Sequence, residues 1–229
     1  MTQAEKMKTD LIPPSEMTLD ELRPVLVREM LTDVVFDGWG WTAADAAAAR
    51  LDVPAERVRL VYPAGAIEMV QAWLRVADSD MLSGLHDEKI TDMPIRDRIR
   101  RAVEIRLEQA QPHKEAVREA SKLLAMPQNA LTSIRSLWTT ADAMWRAAGD
   151  SATDLSHYTK RTTLSGVYST TLLYWLQDDS ENFADTRAFL ARRIENVMQF
   201  EKAKARLTGA RGRRPSLVRF LGRLRYPGV

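Results

Sequence analysis

The sequence predicts an all-α fold, and three observations carry that prediction. Apolar residues recur at steps of three and four, as at Leu164, Val167, Tyr168, Leu172, Trp175 and Leu176, which puts them on one helical face. Nearly every such run begins near Pro, Ser, Thr or Asn, the residues that open helices. No alternating apolar run is long enough for a strand. With 229 residues, 45% of them hydrophobic, the chain can bury a substantial core in one large domain or two small ones.

The elements follow in order. Residues 1–17 are polar and contain Pro13-Pro14, and a disordered arm is expected there. Thr18 and Glu21 have the spacing of a capping box. They open a helix to about Asp37 that turns Leu22, Leu26, Met30, Val34 and Val35 inward, and Gly38 and Gly40 stop it. Thr42 is expected to cap a short Ala-rich helix ending at Arg50. After the turn Leu51-Asp52-Val53, Pro54 opens a further short helix. A fourth helix is expected over 66–77, then a polar loop over 78–93. Helices over 94–109, 112–126 and 127–148 complete the body.

Residues 157–198 read as an αα-hairpin. The run 158–177 makes a helix about 30 Å long at ~1.5 Å per residue. Asp178, Asp179 and Ser180 break it, and Asn182 is expected to cap a second helix carrying Phe183, Leu190, Ile194 and Val197 on its apolar face. Ser165, Gly166, Ser169 and Thr170 are small, and Gly166 alone costs about 1 kcal/mol in a helix interior. Small residues admit a close neighbour, either another helix or a ligand in a channel. The channel reading puts an apolar pocket between the hairpin and the 127–148 helix. Gly166 and Ser169 would make room in it, and Trp138, Trp145, Tyr168, Leu172, Trp175 and Val197 would line it.

Catalytic signatures are sparse. The chain has no cysteine, hence no disulfide framework or thiolate metal site. His86, His113 and His157 are scattered, with no HExxH and no pair of ExxH motifs. Asp154, three residues before His157, reads as a helix cap. Gly38-Trp39-Gly40 lacks the strand and third glycine of a nucleotide loop. We therefore expect no catalytic site, no metal and no cofactor.

Charge is unevenly distributed. Residues 202–229 hold nine Lys or Arg and no acid, while the remainder holds 24 basic and 31 acidic residues, a net of −7. Beyond Pro215, the residues Leu217, Phe220, Leu221 and Leu224 share one helical face, with Arg214, Arg219 and Arg223 around it. This basic amphipathic segment is expected to lie on an anionic membrane surface. A solvated or RNA-binding tail, or a helix docked on the acidic body, are the alternatives. The first residues have no apolar signal-peptide core, and the longest charge-free run is too short and too polar to span a bilayer. A cytoplasmic protein, peripheral on the inner face of the membrane, is expected.

Three short N-terminal helices, the second and third joined tightly, make a helix-turn-helix layout. Through Gly38, Trp39, Thr42, Ala46, Leu51, Val53, Val58 and Tyr62 it resembles the TetR-type repressors over residues 20–75. Its DNA-reading potential is poor. Residues 1–77 hold eight basic and twelve acidic side chains, whereas phosphate contacts call for basic ones. No specific nucleic acid is expected.

The hairpin is more telling. MWRAAGD at 144–150, TDLSHYTKR at 153–161, the run at 173–180 and FADTRAFLARRIENVM at 183–198 resemble the coenzyme Q biosynthesis protein nine family, lipid-binding accessory proteins of ubiquinone synthesis. The resemblance extends over most of 20–205. It implies a TetR-like fold without repressor function, with an N-terminal three-helix module, a larger helical ligand-binding bundle and a C-terminal amphipathic helix. It also implies a pocket for isoprenoid or quinone lipid, association with the demethoxyubiquinone hydroxylase, and a homodimer. Partner-surface positions carry over onto Met144, Asp154, His157 and Tyr158, although His157 stands where the family commonly has Trp. The resulting division is an arm at 1–17, a degenerate helix-turn-helix module at 18–77, a helical lipid-binding domain at 78–208 and a membrane-contacting tail at 209–229. A ligand-responsive TetR-type repressor is the competing function.

Overall fold

A computed structural model describes residues 12–88, 90–150 and 155–211. These residues form helices α1 (Leu19–Asp37), α2 (Trp41–Arg50), α3 (Ala55–Val61), α4 (Ala66–Asp87), α5 (Ile95–Ala110), α6 (Lys114–Leu124), α7 (Ala130–Ala147), α8 (Leu155–Trp175) and α9 (Ala184–Arg211), joined by short 3-10 turns. No strand is present among the described residues.

The first helix starts as its sequence dictates. The Thr18 hydroxyl accepts from the Glu21 amide at 3.4 Å, and the Glu21 carboxylate accepts from the Thr18 amide at 2.9 Å. Both donors would otherwise be orphaned at the helix end. Gly38 ends the helix with φ +67°, a conformation that a side chain disfavours. Val35 is not inward, at 42% exposed. Thr42 does not cap α2, which begins one residue earlier with Gly40 at the cap position.

The fourth helix does not stop at Ala77; it continues to Asp87, where a polar loop was expected. Val76, Met81 and Leu85 keep the inward spacing through this stretch and are buried. Its polar residues belong to the outer face, with one exception. Asp78 is buried, accepting from Arg106 Nε at 3.2 Å and from the Thr140 hydroxyl at 2.9 Å. Desolvation pushes its carboxyl above the usual range, against the pull of Arg106 and Thr140.

A single core joins the N-terminal module to the larger bundle, from Met17 to Leu190. Trp39 crosses the junction. Its indole donates to the Ala116 carbonyl at 3.0 Å, and its ring lies 5.8 Å from that of Trp73. Arg28 on α1 pairs with Asp80 on α4.

The hairpin turn is held by Asp178 rather than Asn182. Asn182 sits in the turn with φ +51° and caps nothing. The Asp178 carboxylate accepts from the Ser180 amide at 2.8 Å and from the amide and hydroxyl of Thr186 at 2.8 and 2.5 Å. Burial alone would raise the Asp178 carboxyl, but these hydrogen bonds outweigh it and hold it at about 2. The folded value lies below the unfolded one, so its stabilisation is full above the ordinary carboxylate range and disappears as pH falls towards 2. Asp178→Asn, which leaves a buried acceptor set incomplete, should lose about 1–3 kcal/mol at neutral pH. Thermal melts across pH should show the gap between variant and parent closing as pH nears 2. A pH-independent gap would mean that shape, not charge, holds the turn.

Candidate functional site

Helix α8 has three working sides. One faces the core through Tyr168, Trp175 and Leu176. A second faces α9 and α5 across a cavity of about 470 Å³. The third faces outward.

The cavity takes Leu164, Val167, Thr163, Thr159, Lys160 and Ser156 from α8. Ile194, Val197 and Met198 come from α9, Arg96 and Ile99 from α5, and Trp145 from α7. Its deep wall is Ile99, Leu164 and Val167, all buried. Such a space, apolar with a few polar groups, falls in the size range of small-molecule sites.

One end is built by charge. Arg161 is 2% exposed and bridges Asp142 at 2.5 Å and Asp150 at 3.1 Å. Lys160 donates to the other Asp150 oxygen at 2.6 Å and lies 5.3 Å from the Trp145 ring centre. The Trp145 indole donates to the Lys160 carbonyl at 3.1 Å. Burial alone would raise Asp150, but hydrogen bonds and charge from Lys160 and Arg161 hold its carboxyl below the usual range. Trp145 and Lys160 are thereby fixed as one wall.

Of the eight residues expected to line a lipid pocket, Trp145 and Val197 border this cavity. The other six sit elsewhere, and each placement has a physical reason. Gly166 is on the outward side, where an added Cβ would meet no atom of the described residues within 4 Å. Ser169, one turn on, donates to the Gly166 carbonyl at 3.2 Å. Tyr168 is buried in the core, and with Leu172 it lines a separate cavity of about 30 Å³ beside Trp73 and Arg106. Trp175 is fully buried, edge-on to Phe183 with centroids 5.9 Å apart. Trp138 lies 6.0 Å from the Tyr158 ring and 6.3 Å from His157, outside the pocket. The cavity residues that sequence reasoning missed follow a readable spacing: Ser156, Lys160 and Thr163 step by four and three and lead on to Val167, but their polarity hides them.

The expected partner residues also divide. Met144 is fully buried, so it touches no partner: it packs inward as α7 turns from its outer to its core side. Asp154 lies outside the described residues, as do Arg214, Leu217, Arg219, Phe220, Leu221, Arg223 and Leu224. Tyr158 is 60% exposed, and its ring meets half-buried His157 edge-on at 5.2 Å. No helix among the described residues is long and apolar enough to cross a membrane.

Three cations of the helix-turn-helix, Arg50, Arg57 and Arg59, are engaged internally. Arg59 pairs with Asp45 and stacks 4.2 Å over Trp41. Arg50 pairs with Glu29 and Asp33. Arg57 donates to the Ser15 and Met17 carbonyls.

Comparison with known proteins matches this geometry. The fold is similar to that of a TetR transcriptional regulator from Nitrosomonas europaea ATCC 19718, with TM-score 0.63 at 22% identity over 78% of this chain and 98% of that one. The COQ9 family model matches residues 130–201, which hold α7, α8 and most of α9. The chain is 33% identical to the mitochondrial ubiquinone biosynthesis protein COQ9 of Xenopus tropicalis over 186 residues, 78% of this chain and 58% of that protein. It is 41% identical to the Rattus norvegicus protein of the same name over 115 residues, 50% of this chain and 36% of that one. The chain thus spans under two thirds of the length of these relatives. On an all-α frame similar to that of a TetR regulator, residues 130–201 match the COQ9 family model, and the chain is similar in sequence to the COQ9 ubiquinone biosynthesis proteins.

Proposed function

We propose that this chain is a non-catalytic accessory protein of ubiquinone biosynthesis that binds an isoprenoid or quinone lipid. The observation that carries the reading is the apolar cavity between α8, α9 and α5, which lies within the COQ9 segment on three of its walls. A cavity of 470 Å³ takes part of a long polyisoprenoid, with the remainder leaving through its opening. On this reading the basic segment at 209–229 rests on the membrane, and exposed Tyr158, with half-buried Trp138 and His157 beside it, receives a ring hydroxylase. Buried aromatic anchors dominate such contacts.

A second copy pairs on the outward side of α7 and α8. Leu131, Ile134 and Leu173 are exposed there, and Gly166 leaves room for a close approach. The repressor alternative is disfavoured by the internal engagement of Arg50, Arg57 and Arg59, which leaves little free cation for phosphates. The test is mass spectrometry of an organic extract from gently purified protein. Stoichiometric prenyl-bearing lipid is the expected result. Recovery of bulk membrane lipids in their cellular proportions would overturn the assignment.

A further inference from the structure

We propose that the α5–α8–α9 pocket selects an amphiphile with an anionic head, a carboxylate or a phosphate, over one with a neutral head. The inference rests on the lipid-pocket reading and narrows its ligand, from quinones with a neutral head to isoprenoid lipids that carry an anionic one.

The polar side chains lining the pocket are Arg96, Ser156, Thr159, Lys160 and Thr163. All are hydrogen-bond donors, two are cations, and none is a carboxylate. Among the described residues, Asp150, Asp142 and Asp97 are already engaged. Both Asp150 oxygens are taken by Lys160 and Arg161. Asp142 serves Arg161 at 2.5 Å and Arg146 at 2.8 Å. Asp97 pairs with Arg100 at 3.0 Å and meets Arg96 only at 3.6 Å.

Among the described residues, a further cation at this end forms no ion pair. Arg98 donates to the carbonyls of Met93 at 2.8 Å, Ala148 at 2.9 Å and Thr91. These contacts satisfy its hydrogens but leave its charge. The opening of an apolar pocket is therefore positive, and a water-poor pocket strengthens its pull on an anion.

Arg96 suits the role of head-group ligand. Its side chain is 58% exposed, and a surface pair with an adjacent residue is cheaply exchanged. Its planar fork matches a carboxylate or phosphate. A neutral ring or alcohol would cover Arg96 and Lys160 without returning a charge, which is unfavourable.

The experiment is displacement of the neutral dye N-phenyl-1-naphthylamine from the full chain, with tetradecanoate, tetradecyl phosphate, tetradecanol and inorganic phosphate, all below micelle formation. Tetradecanoate and tetradecyl phosphate should bind about tenfold tighter than tetradecanol. That ratio should fall about threefold in Arg96→Gln and approach one in Arg96→Gln/Lys160→Met. Equal affinity of acid and alcohol overturns the head-group inference and leaves the lipid pocket standing. Failure of every tailed compound to displace the dye rejects the pocket itself. Displacement by inorganic phosphate alone would mean a small-anion site and overturn the inference. A ratio unchanged in the double variant also overturns it, placing the discrimination elsewhere, as on the cationic tail.

Discussion

Arg161→Met should lower the unfolding free energy by about 3–5 kcal/mol. The guanidinium is 2% exposed and bridges two carboxylates from α7 and the segment after it, while also donating to the His157 carbonyl at 3.2 Å. Removing it leaves partly buried Asp142 and Asp150 each short of one partner. For a chain of this length, the melting temperature should drop by roughly 6–20 °C. Arg146→Met is the matched control. Arg146 pairs with the same Asp142 but is 73% exposed, so its loss should cost less than about 1 kcal/mol. Urea unfolding of the two variants measures the difference. Equal, small losses would show that the cluster is solvated and structurally idle. The cluster also holds Lys160 and Trp145 in the pocket wall, so a variant that still folds should retain less lipid.

Local chemistry in this chain was readable in advance, and long-range choices were not. The Thr18–Glu21 box is a three-residue affair, and its donors and acceptors are visible in the sequence. The apolar stripe of α8 was equally plain. Its division was not: Leu164 and Val167 face the cavity, while Tyr168 and Trp175 face the core. A step of one residue turns a helix by 100°, so a stripe this broad serves two neighbours at once. Only the positions of α5 and α9 decide which residue meets which.

Polarity misled in two ways. The stretch 78–87 looked like a loop because Asp78, Ser79, Asp80 and Asp87 are polar. The burial of Asp78 depends on Arg106, 28 residues away, which no local pattern announces. Thr159, Lys160 and Thr163 are likewise polar, and none was among the residues expected to line a pocket, yet they border the cavity. At the hairpin turn, Asn182 had the right residue type for a cap, but Asp178 reaches the orphan amides with charge-assisted acceptors, the stronger arrangement. Gly166 was expected to make room inside the pocket, but it lies on the outward side of α8, facing open space among the described residues.

That reversal supplies the second large effect. Thr163→Trp should reduce the lipid recovered in an organic extract by about tenfold or more, since a bulky ring in a cavity of this size excludes a ligand that depends on apolar contact. Thr163 is half-buried at the cavity margin, so the ring can enter without displacing the core. Stability should change by no more than about 1 kcal/mol. Gly166→Leu, three residues on but on the outward side, should leave recovery unchanged. A loss in Gly166→Leu with none in Thr163→Trp would move the lipid path to the outer face of α8.

The central claim is that a prenyl lipid lies between α8, α9 and α5. Photo-cross-linking of the intact chain with a diazirine-bearing polyprenyl probe, followed by peptide mapping, tests it most directly. Labels should concentrate on residues 156–167 and 194–198, with Ile99 as the contact from α5, and should fall when unlabelled prenyl lipid competes. Competable labelling centred on Trp138, Gly166 and Leu173, with the cavity residues unmarked, would contradict the account.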